Sequence, residues 1–145
     1  MQEDNKIPQY PIRKAAEILG ISVHTMRMYE KEGLIIPFQK TSNHRLYSKT
    51  DIDRISCIRR TIRENKISIQ GIKAIYSLIP CWKIINCPDK ERENCPAFQN
   101  QFNPCWTFEH KDNICVQNNC RECEVYNNYT QCGQVKSLIN EIMLD

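Results

Sequence analysis

Eight of the nine cysteines of this 145-residue chain lie between Cys81 and Cys132, in its second half. The segments around them, such as CWKIINC, NCPAF and NCRECEVY, contain few aliphatic residues and show no sustained hydrophobic period. Such a segment cannot bury enough apolar surface to offset the entropy that is lost when its backbone is ordered. It therefore requires cross-links, which are either disulfides or a thiolate-bound metal.

The ends and apolar windows of the chain indicate its compartment. The start, MQEDNKIPQY, has early acidic residues and no apolar run, so it does not resemble a secretory signal. The most apolar window, AIYSLIPCWKII, is too short to span a bilayer and contains Pro80 and Lys83. We therefore predict a cytoplasmic protein with no membrane partner. Because cytosolic thiols are kept reduced, a metal is favoured over disulfides.

All eight clustered cysteines are candidate metal ligands. The segment CREC at residues 120–123 is a chelating turn, because two intervening residues let both sulfurs face one ion. The other spacings are irregular, and two cysteines are followed directly by proline, a step that is also met beside iron–sulfur clusters. We predict an iron–sulfur cluster, with zinc as the alternative. The candidate ligands are Cys81, Cys87, Cys95, Cys105, Cys115, Cys120, Cys123 and Cys132.

The first half of the chain has the opposite charge from the second. Residues 1–79 hold 14 Lys and Arg against 8 Asp and Glu, a net of +6, whereas residues 80–145 hold 6 against 9, a net of −3. A basic half favours a polyanionic partner, whose counterions are released when Lys and Arg dock. A solvated basic surface would explain the same charge, so composition alone leaves both interpretations open.

Two short helices are predicted near the start of the chain. PIRKAAEILG has apolar residues at helical spacing and ends on Gly20, and Ser22 then caps VHTMRMYEKEG, which ends on Gly33. Two helices joined by a tight turn form a helix-turn-helix, whose second helix enters the major groove. An ordinary helical hairpin is the alternative. The residues predicted nearest the base edges are Val23, His24 and Thr25.

A small wing and two further helices are predicted next. Residues 38–40 and 45–47 flank the polar turn TSN, which favours a two-stranded ribbon. Ser48 and Asp51 form a capping signature before DIDRISCIRRTIRE, and Asn65 is expected to take a left-handed stop before SIQGIKAIYSLI. The fold class is therefore mainly α, a winged helix-turn-helix with a small two-stranded wing, followed by a loop-rich, metal-stapled module.

The segments IRKAAEILGISVHTMRMYEKEGLIIP, HRLYSKTDIDRISCIRR and IQGIKAI resemble the MerR family of bacterial transcription regulators. The resemblance implies a homodimer that binds a near-palindromic operator in double-stranded DNA, with RNA polymerase as a further partner at the promoter. By position, Arg27 and Tyr29 in the second helix and Arg45 and Tyr47 in the wing would contact phosphates, which set register without reading bases. For Tyr29, packing between helices is the alternative. The other DNA-binding candidates are Arg13, Lys14 and Lys40.

Two features depart from that family. Its wing turn usually carries a glycine, and here Asn43 stands in that region, which tolerates positive φ. The family also continues into a long pairing helix, but Pro80 follows soon after the last predicted helix, so the dimer interface must lie elsewhere. One candidate is the amphipathic tail, which either packs on its own domain or pairs with a partner subunit. Its stripe is Val135, Leu138, Ile139 and Ile142.

The organisation that follows is a DNA-binding domain at residues 8–79, a cysteine-rich module at 80–132 and a short amphipathic helix at 133–145. The two Cys-Trp steps, at Trp82 and Trp106, also resemble the two-CW segment of some bacterial sensory proteins; the rings either shield a site or form the module's core. We predict a transcription regulator whose module senses redox state, oxygen or metal. The alternative is a structural zinc-stapled dimerisation or protein-interaction domain. The sequence shows no nucleophile–base constellation and no phosphate-cradling glycine loop, so we do not predict an enzyme.

Overall fold

The computed structural model describes residues 4–40, 42, 44–110, 115, 119–127 and 135–144. The front half runs β1 (Tyr10–Pro11), α1 (Ile12–Leu19), α2 (Val23–Lys31), β2 (Phe38–Gln39), β3 (Arg45–Tyr47), α3 (Lys49–Glu64) and α4 (Ile69–Ser77). The remainder contains α5 (Cys81–Ile84), α6 (Asp89–Glu93), α7 (Pro96–Gln99), α8 (Glu124–Asn127) and α9 (Val135–Leu144). Single 3-10 turns occupy Asp4–Lys6, Cys105–Thr107 and Cys120–Glu122. The mainly-α fold predicted from the sequence is confirmed.

The helix-turn-helix is built as its capping residues predict. Gly20 ends α1 with φ of 69°, a left-handed conformation in which its N–H reaches the carbonyls of the last turn. Ser22 Oγ then accepts a hydrogen bond from the Thr25 N–H at 3.0 Å, which caps α2. Helix α2 ends at Lys31, earlier than the predicted end at Gly33, and Gly33 has φ of 78° in the following turn.

The wing has one strand more than the two that the sequence predicts. Strand β3 pairs antiparallel with β2, and it also pairs with β1 on its other side, with Tyr10 opposite Tyr47. The sequence signal missed β1 because it is two residues long and contains Pro11, which cannot donate to a ladder. The predicted turn residue Asn43 lies outside the described residues.

Helix α3 carries the front half's core and begins with a complete capping box. The Asp51 N–H donates to Ser48 Oγ at 3.1 Å, and the Ser48 N–H donates to Asp51 Oδ2 at 2.8 Å, as the sequence predicts. The left-handed stop predicted for Asn65 is wrong. Asn65 keeps φ of −95° and its N–H bonds the Thr61 carbonyl, so the chain reverses one residue later, at Lys66, with φ of 58°.

Residues 80–127, which we call the cysteine module, pack against the front half. The front half has its own core, in which Met26, Leu34 and Ile55 are fully buried. The module adds a second, small apolar cluster, which forms around Val125 together with Ile79 of the front half. Packing against the larger core of the front half stabilises the module. This packing adds to the cross-links that so small an apolar cluster requires.

The tail forms α9, although the side chains of Val135 and Leu138 lie outside the described residues, so its packing stays a prediction. Cys57, expected to be a small packing residue of α3, is buried and is disulfide-bonded, so that interpretation is incomplete. Among the described residues, no helix is both long and apolar enough to cross a membrane.

Candidate functional site

The predicted DNA-binding residues of the front half divide by exposure. Six charged or imidazole side chains are exposed on α1, α2 and the wing, whereas Val23 and Thr25 at the start of α2 are half-buried. The exposed six are Arg13, Lys14, His24, Arg27, Lys40 and Arg45. Exposed cations on a helix and an adjacent ribbon can reach phosphates of one duplex, so the arrangement is compatible with a nucleic-acid interface.

Tyr29 and Tyr47 lie differently. Tyr29 is 3% exposed and Tyr47 is 0% exposed, so both rings are packed in the core. Tyr47 donates its hydroxyl to Glu30, which also pairs with Arg45 of the wing. Burial, and secondarily the Glu30 charge, raise the pKa of Tyr47 above its usual value, so its hydroxyl stays protonated and continues to donate. Tyr47 therefore fixes the wing against α2, whereas the Tyr29 hydroxyl accepts a hydrogen bond from Arg59 of α3; the predicted phosphate contacts of both stay predictions.

All the cysteines of the described part of the module line one small cavity. Apolar and aromatic side chains, among them Trp82, Phe98 and Trp106, complete its walls. The Trp82 and Phe98 rings meet edge to face with centroids 5.1 Å apart, so Trp82 is both a packing residue and a cover for the cavity. The cysteines, none of which forms a disulfide, are Cys81, Cys87, Cys95, Cys105, Cys115, Cys120 and Cys123. The predicted ligand Cys132 lies outside the described residues.

The thiols around this cavity influence each other's ionisation. A hydrogen bond from the Cys105 thiol lowers the pKa of Cys81, and the same bond, with burial, raises the pKa of Cys105. Cys120 and Cys123 also lie close enough to raise the pKa of Cys105 by charge repulsion. Burial raises the pKa of Cys115 to about 12, with further contributions from neighbouring thiolates. The raised pKa values keep Cys105 and Cys115 in the protonated, neutral form until a cation replaces their protons.

His110 is a residue whose position the sequence analysis did not anticipate. Its Nε2 lies 3.1 Å from the Cys105 carbonyl and therefore carries the proton, which leaves Nδ1 as an acceptor 3.9 Å from the Cys95 sulfur. The imidazole thus joins two cysteines that are ten residues apart. A histidine near a cysteine cluster was the available signal, but its spacing from Cys105 and Cys115 matches no repeated ligand pair.

The side chains that line the cavity fit a soft metal or a cluster, although they lie farther apart than the ligands of an assembled metal site. Thiolates and imidazole are the ligands that zinc and iron–sulfur clusters use. In the described part of the chain, no group of three or more His, Cys, Asp or Glu side chains is close enough to hold an ion. Binding would therefore draw the sulfurs together. The pKa of Cys105 is raised by the hydrogen bond to Cys81 and by the charges of Cys120 and Cys123, so these four thiols lie within electrostatic range of one another.

Arg121, inside the CREC turn, ties the cysteine module to the front half. Its Nη2 lies 2.8 Å from Asp51 Oδ2 and its Nη1 lies 3.2 Å from Asp51 Oδ1, a bidentate ion pair. Nη1 also donates to the carbonyl of Ile36. Both side chains are largely buried, at 14% exposure for Arg121 and 5% for Asp51. The residue between two candidate ligands therefore holds the cap of α3.

The connector, residues 32–37 between α2 and β2, receives two more contacts from the module. The Trp106 indole N–H donates to the Gly33 carbonyl at 2.6 Å, and the Ile36 N–H donates to the Tyr126 hydroxyl at 2.8 Å. The rings of Trp106 and Tyr126 meet edge to face with centroids 5.1 Å apart. The sequence predicts Trp106 as a shield or a core residue. It does not predict the bond to Gly33, because a contact between residues 73 positions apart leaves no local pattern.

The comparisons with known proteins agree with the front half's fold. Over residues 10–78 the chain matches the family described as "MerR HTH family regulatory protein". The uncharacterized HTH-type transcriptional regulator YyaN of Bacillus subtilis is 41% identical over 94 residues, which cover 64% of this chain and 67% of that protein. The putative heat shock protein HspR of Streptomyces coelicolor is 32% identical over 71 residues, or 49% and 47% of the two chains.

A third similar protein is the HTH-type transcriptional regulator ZntR homolog of Haemophilus influenzae. It is 41% identical over 64 residues, which cover 43% of this chain and 47% of that protein. The chain therefore spans between about half and two thirds of the length of these relatives. With the matched segment, the winged helix-turn-helix and these relatives together, the chain belongs to the MerR family of helix-turn-helix regulatory proteins.

Proposed function

We propose that this protein binds double-stranded DNA as a transcription regulator and that its cysteine module governs that binding through a thiolate-bound metal or iron–sulfur centre. The observation that carries the proposal is the junction between the two parts. The candidate ligand turn, residues 120–123, contains the arginine that bonds the connector behind the reading helix. A change at the thiols therefore has a short covalent and hydrogen-bonded path to α2 and the wing.

The proposed DNA contacts use the exposed face of the front half. Helix α2 presents His24 and Arg27 from its first two turns, and the wing presents Arg45 and Lys40 beside it. A recognition helix reads bases while wing cations hold phosphates, so the two elements must keep a fixed relative position. The Glu30 carboxylate maintains it by bonding both Arg45 and Tyr47. Homodimerisation and an RNA polymerase contact remain predictions.

Arg45→Ala tests the DNA interface. We expect it to weaken binding to all duplexes from the protein's own upstream region alike, roughly tenfold at low salt, because a charge-assisted phosphate contact is lost. The slope of log affinity against log salt concentration should fall by about one phosphate contact. Lys83→Ala is the matched control, since it removes an exposed cation from α5, outside the proposed interface. Equal affinities for wild type and Arg45→Ala would remove the wing from the interface.

The proposed ligand set is the four thiols at Cys81, Cys105, Cys120 and Cys123. Cys81, Cys105 and Cys123 pack against the cluster of Ile79 and Val125, and Cys120 and Cys123 flank Arg121. A bound metal or cluster would supply cross-linking and, if it contains iron, a redox change. Pulling these sulfurs together would move Trp106 and Arg121, which bond Gly33 and Ile36 of the connector.

Anaerobic purification followed by assay of iron, zinc and acid-labile sulfide tests the ligand set. We expect stoichiometric metal in wild type and at least half of it lost in Cys105→Ser, because that variant lacks one of the four proposed sulfur ligands. Cys87→Ser is the control, because Cys87 lies outside the proposed set. Iron with sulfide, bleaching in air and changed operator affinity would support sensing. Stoichiometric zinc with air-indifferent DNA binding would support the structural alternative, and metal-free protein would exclude both.

A further inference from the structure

A second cavity, of about 350 Å³, lies at the seam between the front half and the cysteine module. Its walls come from the N-terminal segment, β2 and the start of α3 on one side, and from residues 121–127 on the other. No cysteine that the structure describes lines it, so it is separate from the thiol cavity. Its volume falls within the range of small-molecule sites and exceeds what one inorganic ion requires.

Arg54 is the unusual residue of this seam cavity. Its side chain is 1% exposed, yet within the described ranges it pairs with no carboxylate. Nη2 donates to the Tyr126 carbonyl, and the guanidinium carbon lies 3.6 Å from the centre of the Tyr126 ring. Nη1 is buried and has no hydrogen-bond acceptor there. A buried guanidinium with a free N–H is costly by itself, and its planar fork matches a carboxylate.

The charge of the lining favours one negative charge on the occupant. Lys6, Arg54 and Arg121 contribute three cations, and Asp51 and Glu122 contribute two carboxylates. Asp51 and Arg121 already neutralise each other across 2.8 Å. The remaining net charge of +1 balances a monoanion, whereas a phosphate monoester would bring almost two negative charges beside these carboxylates.

The apolar part of the lining indicates the rest of the occupant. Phe38 is 41% exposed and Tyr126 is buried beneath Arg54, so an aromatic wall stands next to the cationic groups. Thr50 adds a hydroxyl at the same rim. A charged fork beside two rings suits a molecule with an anionic head and a compact apolar body.

We propose that the seam cavity binds a small organic carboxylate, whose carboxylate group pairs with Arg54 and Lys6 and whose body packs on Phe38. The inference goes beyond the proposed function, since it requires neither DNA nor metal. Because both parts of the chain line the cavity, the occupant stabilises the docked arrangement of the cysteine module on the front half.

Calorimetric titration of the full chain with sodium benzoate, compared with neutral benzamide of the same shape, tests the site. We expect saturable binding of one benzoate per chain and a rise in melting temperature, with benzamide at least tenfold weaker because it cannot pair with Arg54. The readout is independent of DNA binding and metal content, so its failure is distinguishable from failure of the proposed function. Equal binding of the two compounds, or no saturable benzoate binding, overturns the proposal.

Two variants locate the binding. Arg54→Met should abolish the benzoate-induced rise in melting temperature without lowering the melting temperature of the ligand-free protein, because it removes a buried charge that lacks a carboxylate partner. A purely structural arginine would instead lower the ligand-free value. Lys6→Met, at an exposed rim position, should weaken benzoate severalfold even if Arg54→Met fails to fold. Lys49→Met, exposed on α3 and outside the lining, is the control, and equal affinities in all variants contradict the site.

Discussion

Asp51→Asn is expected to lower the free energy of unfolding by about 3–5 kcal/mol, the range for breaking a buried ion pair while one charge remains buried. The asparagine oxygen can still accept from the Ser48 N–H, so the cap of α3 is largely retained. The loss therefore reports mainly on the bidentate pair with Arg121. Urea unfolding at one fixed redox and metal condition measures it as a shift of the midpoint at constant slope.

Asp53→Asn provides the matched control for this change. It removes the same charge from an exposed position two residues further along α3, where we expect an effect within about 0.5 kcal/mol. In an Arg121→Met background, Asp51→Asn should cost about 1–3 kcal/mol less, because no partner is left unpaired. Equal losses for Asp51→Asn and Asp53→Asn would mean that the pair does not stabilise the junction.

Gly33→Ala is expected to destabilise the protein by about 2–5 kcal/mol through two separate effects. The backbone at Gly33 has φ of 78°, which costs an L-residue about 1–2 kcal/mol. A β-carbon there would also lie 2.4 Å from Thr107 Cγ2 of the cysteine module, and relieving such overpacking costs about 1–3 kcal/mol. The same variant should reduce DNA affinity, since the displaced Trp106 indole bonds the Gly33 carbonyl.

Gly20→Ala separates the two effects. Gly20 has φ of 69° and no atom within 4 Å of its would-be β-carbon, so only the backbone cost of about 1–2 kcal/mol is expected. Thr107→Ser, added to Gly33→Ala, should recover the steric part while its hydroxyl keeps the 2.7 Å bond to the Pro104 carbonyl. Matching losses for the two glycine variants would show that Thr107 does not press on the connector.

The fold of the front half was predictable because each of its sequence signals is local. Ser22, Gly20 and the Ser48 capping box mark helix ends within three or four residues of the groups they bond, and the structure contains each of them. Local signals failed where two adjacent residues compete for one conformation. Asn65 is the better left-handed residue by propensity, but Lys66 takes that conformation because α3 retains one more helical hydrogen bond.

The junction was beyond the reach of the sequence patterns. The cysteines of residues 81–123 were recognisable as one set, and the structure gathers the described ones around a single cavity. The spacing of the cysteines does not predict which face of the module contacts the front half. That contact depends on Arg121, which bonds Asp51 and Ile36 across 70 and 85 residues of chain. Arg54 was likewise indistinguishable from its exposed neighbours on α3, since periodicity places a residue on a face without naming its partner.

The bonds between the module and residues 33–36 span 73 to 90 residues of chain, and this separation sets an order of events during synthesis. Residues 33–36 leave the ribosome on the order of ten seconds before the side chains that bond them. Until then, the Gly33 carbonyl and both backbone groups of Ile36 are hydrated, and the connector behind α2 is not held in place. A nascent chain therefore fixes the connector behind α2 only when its last third has emerged, so the position of α2 relative to the wing is set late in synthesis.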